Sequence, residues 1–364
     1  MIALVTDVHY RMTPAMVRVL GRQGIPVYTC EKETERILPG ARSKYRKKHF
    51  SLPAEGYEDA LYDLLEQLDK PVLLPMGAAT LQLVSAQKER FEKVAHLCIA
   101  EPAALELLNS KRKLHQLAPE LEIPVPKETD QCPCVVKPVC GEKFGLHAAE
   151  RYTVCGTPAQ RDEAIAHFTR LTGEPPVVQE YLPGEGIGCS VIAREGRVIA
   201  WIGHRRIREY PVTGGPSSCC IAEDHGLLPW VEKIVAATHF SGPAMFEFKR
   251  DAEGNPRLLE CNPRIWGSFP LAEAAESTLP YAWFAASCGL EIPENYFKKG
   301  QKMCFFPSDF AAGMGYFKQK NGQKFVAALA DLMNPAVKDG LFRLSDPAPA
   351  LAYYAGLLQR GGRS

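Results

Sequence analysis

The 364-residue sequence has almost no excess of either charge: lysine and arginine total 43 against 42 aspartate and glutamate, a formal net charge of +1. That balance gives no electrostatic case for binding nucleic acid or an acidic membrane. No apolar run reaches the length of about 18 residues that a spanning helix needs, and the start, "MIALVTDVHYRMTP", has neither a basic leader nor a cleavage site. These absences predict a cytoplasmic protein without nucleic-acid or membrane partners. The sequence also lacks an internal repeat, a low-complexity tract, a G-x-S-x-G and a Cys/His nucleophile pairing. After the first apolar run stands "TDVHYRMTP" rather than G-x-G-x-x-G, which disfavours a dinucleotide site.

Cysteine, in contrast, is plentiful, with twelve residues. Most lie inside apolar runs, as Cys30, Cys98 and Cys261 do, where cysteine behaves as a small buried hydrophobe. The pairs Cys132/Cys134 and Cys219/Cys220 have no second cluster at zinc-finger spacing. Reduced structural thiols are the expectation.

A chain of this length can bury a large core and divides into two or three domains. "IALVTD", the helical "PAMVRVLGRQG" and "IPVYTC" make a βαβ beginning, repeated more loosely by "PVLLPM" and "AATLQLVSAQKERF". The fold class is therefore α/β, partly α+β, with a doubly wound, Rossmann-like domain over 1–100. Beyond it come the helical "ALELLNSKRKLHQLA", the strand "PCVVKPV", the loop "CGEKFG", a helix near 157–171 and the strand "PVVQEYL". "CSVIAREGRVIAWIG" reads as a hairpin turning at Glu195-Gly196. The last seventy residues, taken as an extension over 291–364, alternate short helical stretches with loops.

The stretch "MFEFKRDAEGNPRLLECNPR" carries the most chemistry. A two-residue turn at Glu253-Gly254 sets Glu247 opposite Glu260, with Cβ atoms roughly 4.5–5.5 Å apart on one face. Asn262 follows on that face, while Phe246, Phe248, Leu259 and Cys261 line the other. Two carboxylates so close repel one another, and a divalent cation removes the conflict. Two glutamates and an amide oxygen suit magnesium and suit zinc or copper poorly; the bland alternative is a solvent-facing hairpin with scattered charges. Phosphates would need cations too. Lys137 interrupts an apolar strand, Lys111 follows the N-cap pair Asn109-Ser110, and Gly141 and Gly145 let a backbone close over an anion.

In this order (Lys111, Lys137 with its glycine loop, "VVQEYLPGEG", then Glu247, Glu260 and Asn262) the chain resembles the ATP-grasp superfamily over roughly residues 100–290. The resemblance implies an ATP-grasp domain over 101–290, with a small lid at about 126–180. It implies ATP as cosubstrate and magnesium as metal, with two ions and manganese able to substitute. By the same likeness Lys111 and Lys137 contact phosphates, with Gly141 and Gly145 above them. Gln179, Glu180, Tyr181 and Leu182 form the adenine hinge, and Glu185 is the candidate for the ribose. Glu247, Glu260 and Asn262 hold metal, and Arg264 faces the reacting carboxylate. "CGEKFG" has fewer glycines than most members of the superfamily.

The implied reaction is C–N ligation: a carboxylate takes the γ-phosphoryl group of ATP, and an amine displaces phosphate from the acylphosphate. "GHRRIREYPVTGGPSS" offers Arg205 and Arg208 as an anion clamp, or simply a charged strand; His204 is a general base or a structural histidine. Two other readings stay open. One is a carboxylase or carbamoyl-phosphate-type enzyme using bicarbonate, although the sequence shows no biotin-attachment segment. The other is a non-catalytic ATP-binding regulatory protein. A homodimer is common in the superfamily.

Overall fold

Short β-branched and leucine-rich runs pair in parallel at the start of the computed structural model, which describes residues 1–139, 151–212 and 216–361. β1 (Ala3–Val5), β2 (Val27–Lys32), β3 (Arg46–Leu52) and β4 (Val72–Leu74) form a four-stranded sheet in the order β3-β2-β1-β4. α1 (Thr13–Arg22) and α2 (Tyr57–Gln67) connect strands, and α3 (Ala78–Ala86) and α4 (Lys88–Phe91) follow β4. β1 lies between β2 and β4, so the chain runs outward from β1 through β2 to β3 and then crosses back to add β4 on the other side of β1. Asp7 closes the end of β1: its carboxylate accepts hydrogen bonds from the hydroxyls of Thr6 and Thr80 and, at 2.9 Å, from the backbone N–H of Gly77.

The expected single helix after residue 100 is two helices, α5 (Pro102–Asn109) and α6 (Lys111–Glu120). Ser110 separates them with extended backbone and caps α6 by accepting a bond from the N–H of Lys113 at 3.3 Å. A small antiparallel sheet follows in the order β6-β5-β7, from β5 (Cys134–Lys137), β6 (Thr153–Cys155) and β7 (Val177–Glu180), with α7 (Pro158–Thr172) packed on it.

The main sheet has seven strands. β8 (Gly186–Arg194) and β9 (Arg197–Glu209) form the hairpin at Glu195-Gly196, where both residues have positive φ (50° and 78°), as a type I′ turn requires. β10 (Ser217–Ala222), α8 (Leu228–Ala237), β11 (Gly242–Arg250) and β12 (Pro256–Asn262) follow, then α9 (Pro270–Ala274) and α10 (Leu279–Cys288). The sheet is completed from the last seventy residues: β13 (Lys302–Cys304) pairs with β10, and β14 (Lys338–Asp339) pairs with β13, giving the order β12-β11-β8-β9-β10-β13-β14. α11 (Ser308–Lys318) and α12 (Gly322–Met333) pack together between those strands, and α13 (Ala348–Gly361) ends the chain.

One apolar core joins the faces of the first sheet and the main sheet, with Leu4, Phe91, Val191, Phe246 and Leu258 all fully buried or nearly so. A second runs through α1, α9 and α10 around Trp283. All eleven cysteines of the described residues are unbridged, and most are buried. Among those residues no helix is long and apolar enough to cross a membrane.

Candidate active site

β11 and β12 pair antiparallel with Glu247 opposite Glu260 and Met245 opposite Asn262. The turn is wider than two residues, because Arg250 pairs with Pro256. A bulge then adds one residue to β12 between Leu258 and Glu260 and restores the pairing expected further along. The bulge changes which leucine faces the core: Leu258 is fully buried, and Leu259 is only partly so. On the opposite face the Asn262 amide N–H group lies 3.4 Å from one oxygen each of Glu247 and Glu260. Glu247, Glu260 and Asn262 therefore converge.

Two cations reach this cluster from outside the hairpin. Lys111, at the first position of α6, sets its Nζ 2.9 Å from Glu260 Oε2. Arg206 on β9 extends a guanidinium to Glu247 and, at 3.3 Å, to Glu209. Arg206 can span from β9 to β11 because the strand between them carries Gly186 and Gly188 at alternate positions. Its side chain lies over Gly186, where a Cβ would be 3.1 Å from Arg206 Cδ, and the His204 ring lies over Gly188, where a Cβ would collide with it. "GIG" in "GEGIGCS" was the sequence signal for this cleared face, and the alternation of arginines did not disclose which one would use it.

Charge and burial set the protonation states. Burial raises the Glu247 carboxyl, and repulsion from Glu260 and Glu209 adds to this against the opposing pull of Arg206. Burial also works to raise Glu260, but Lys111, then Lys137 and Arg206, outweigh it and hold the carboxyl below its ordinary value. Lys137 on β5 is buried; burial first and the nearby Lys111 second bring it down to about 8, while Glu260 and Glu247 pull the other way. The cluster is thus a half-buried acidic pair ringed by ammonium and guanidinium groups. Its oxygen-rich donor set fits Mg²⁺, and rotation of the Asn262 amide would turn Oδ1 toward the carboxylates.

The other sequence candidates fall in several places. Arg264 donates to Asn262 Oδ1 at 3.1 Å and to the Ile265 carbonyl at 2.8 Å; burial brings it down to about 10, against the favourable influence of Tyr10 in the N-terminal domain. Gln179 is buried on β7 and donates to His115 Nδ1 at 2.7 Å, leaving its Oε1 buried without a partner. Glu180 accepts from the N–H of Lys127 at 2.9 Å, Tyr181 is exposed beneath the Lys249 ammonium, and Leu182 is buried. Glu185 is exposed and ion-paired with Arg205 at 3.2 Å.

Arg205 and Arg208 do not join the acidic cluster. Arg205 is bound by Glu223 at 2.8 Å as well as by Glu185. Arg208 points into the opposite end of the sheet, where Asp309 of α11 at 2.8 Å and Asp331 of α12 at 2.9 Å neutralise it. His204 is buried, and burial followed by the neighbouring Arg206 and His225 brings it down to about 3, so it stays neutral and is a weak base at physiological pH. Gly141 and Gly145 lie outside the described residues, as do Gly214 and Gly215 of the loop ahead of β10.

Sequence reasoning missed His115. It lies four residues after Lys111, on the same face of α6, and donates through Nε2 to the Leu259 carbonyl at 2.9 Å while accepting from Gln179, so it fastens β7 to the bulge of β12. Burial first, then Lys137, brings it down to about 4. An i, i+4 spacing from a phosphate-type lysine was the available signal.

A small antiparallel sheet carrying Lys137 and a large one carrying Glu247, Glu260 and Asn262, with Lys111 reaching in from α6, make up the ATP-grasp fold. The chain has this fold. Residues 172–304 match the family model described as "ATP-grasp in the biosynthetic pathway with Ter operon". No curated protein matches the sequence significantly. Among solved structures, the biotin carboxylase domain of Hydrogenobacter thermophilus 2-oxoglutarate carboxylase, in complex with MgADP, ADP and bicarbonate, is similar at 13% identity and a TM-score of 0.64, covering 82% of this chain and 73% of that one. The ADP complex of N5-carboxyaminoimidazole ribonucleotide synthetase is similar at 14% identity and 0.63, covering 88% and 84%. L-amino acid ligase from Bacillus licheniformis is similar at 17% identity and 0.56, covering 79% and 74%.

Proposed function

We propose that this protein is an ATP-dependent carboxylate–amine ligase that works through an acylphosphate. The observation that carries the reading is the convergence of Glu247, Glu260 and Asn262 beneath Lys111, Lys137 and Arg264. Lys111 and Lys137 bind the phosphates, and the hinge around Gln179–Leu182 takes the adenine. Glu247, Glu260 and Asn262 would hold Mg²⁺, which supplies charge neutralisation for the transferring phosphoryl group. Arg264 orients the acid so that one carboxylate oxygen attacks the γ-phosphorus and ADP leaves. An amine then attacks the acyl carbon, phosphate departs with that oxygen, and the amine gives up a proton. Positioning and fixed charge suffice for this sequence, and no protein nucleophile takes part.

The test is ADP release from Mg·ATP with a panel of amino acids supplied as acid and amine, the acid labelled with ¹⁸O in its carboxylate. The expected result is release that depends on both partners, with one labelled oxygen appearing in the phosphate. Tight ATP binding with no turnover would favour a regulatory ATP-binding protein instead. A second reading has a specific basis, since biotin carboxylases stand among the similar structures. ADP release that depends on bicarbonate and ignores the amino acids would select it.

A further inference from the structure

A cavity of about 690 Å³ opens between the N-terminal domain and α13, and it shares no residue with the acidic cluster. That volume is in the range of small-molecule sites. Its polar lining is cationic: Arg36, Arg42, Arg46 and His49 stand over an apolar floor that includes Ile37 and Ala352. Among the described residues no carboxylate lines it. Among the described residues no acidic side chain lies within ion-pair reach of the three arginines. α13 comes close enough to form the wall because Gly356 meets Ile37, where a Cβ would stand 2.9 Å from Ile37 Cδ1.

Three guanidiniums around one opening repel each other and gain from a shared anion. Arg46 gives the independent sign that a ligand is expected, because its Nε is buried without a hydrogen-bond partner. Such a group forfeits the hydration it had in the unfolded chain and recovers nothing in return. His49 donates or accepts through Nδ1 at 3.0 Å from Thr29 Oγ1, and burial together with Arg46 keeps it neutral-leaning, so the arginines supply the charge. The apolar floor matches something other than a bare ion.

We propose that this cavity binds a small amphipathic anion, with a doubly charged head held by Arg36, Arg42 and Arg46 and an apolar tail lying against Ile37 and Ala352. The head is a phosphate monoester or a dicarboxylate, and the site is independent of the ligase reading. The full chain, without ATP, is titrated calorimetrically with hexyl phosphate and with hexylmalonate, beside hexanol and inorganic phosphate. At least one alkyl anion is expected to bind saturably, about tenfold or more tighter than either half-molecule. The tighter of the two names the head. Arg46→Gln and the surface variant Arg36→Gln, each checked for native circular dichroism, should weaken it about tenfold, the size of one lost charge-assisted hydrogen bond. Glu260→Gln should leave it unchanged. The proposal is overturned if neither alkyl anion saturates, if inorganic phosphate binds as tightly as hexyl phosphate, if both arginine variants bind like wild type, or if Glu260→Gln abolishes binding.

Discussion

Glu247 and Glu260 stand directly opposite each other across β11 and β12, yet each is neutralised by a cation from elsewhere in the chain, Arg206 from β9 and Lys111 from α6. Removing one carboxylate should leave the hairpin intact, because the core face of β11 and β12 is untouched. Glu260→Gln is expected to lower ATP cleavage by about 10²-fold or more, the scale of a lost transition-state electrostatic group. Chelation of divalent cations should do the same to the unmodified protein. ADP release with and without EDTA, alongside circular dichroism, measures both; an active Glu260→Gln variant would contradict the assignment of this face.

Arg206 provides a separate handle on the same pair. Its guanidinium and the Glu247 carboxylate are both largely shielded, so Arg206→Gln leaves a charge short of its partner. The expected loss is about 2–3 kcal/mol, below the range for a fully buried pair because some solvent reaches the arginine. Magnesium should then restore more stability to Arg206→Gln than to wild type, since the cation replaces the missing charge. Thermal midpoints measured across a magnesium series test this, and equal shifts in the two proteins would count against metal at Glu247.

Lys137 makes the pH profile informative. Burial and Lys111 hold it at about 8, so the free protein carries the ammonium below that pH and loses it above. Because phosphate binding needs the charged form, kcat/KM for ATP should be level below about pH 7 and fall above pH 8. In stability the sign is opposite: between about 8 and the ordinary lysine value near 10.4 the unfolded chain binds the extra proton, so this group makes the native state relatively more stable as pH rises. Lys137→Arg, which stays charged, should remove the alkaline fall in kcat/KM. A fall at the same pH in that variant would assign it to another group.

How far the sequence reveals this site depends on the range of the interaction. The pairing of Glu247 with Glu260 was legible because it follows from period-two alternation, although the wide turn and the bulge at Leu258–Glu260 had to offset each other for the assumed register to hold. The N-cap at Ser110 and the turn at Glu195-Gly196 were legible for the same local reason. The fate of the arginines was not. Arg205, Arg206 and Arg208 are neighbours in sequence but are neutralised by Glu223, by Glu247 and by Asp309 with Asp331 respectively. Those choices are made by strand order and by two helices from the last seventy residues, which no local pattern specifies.

Those long-range choices also hold the parts of the chain together, most plainly at Glu273. Arg18 of α1 donates to its two oxygens at 2.8 and 2.6 Å, Arg343 lies 3.2 Å away, and Arg22 completes the group. Burial works to raise the Glu273 carboxyl, and Arg18, Arg343 and Arg22 more than reverse it, so the folded value is depressed. A depressed carboxyl contributes stability above its unfolded value of about 4.3 and loses it as pH falls through the folded value. Glu273→Gln leaves Arg18 and its companions around a neutral amide and should cost about 3–5 kcal/mol at pH 7. The gap between variant and wild type should narrow steadily below pH 4.3, as protonation makes the native glutamate resemble the amide. Urea denaturation midpoints at pH 7, 5 and 3.5 measure it, and a gap independent of pH would show that packing, rather than charge, is what Glu273 contributes.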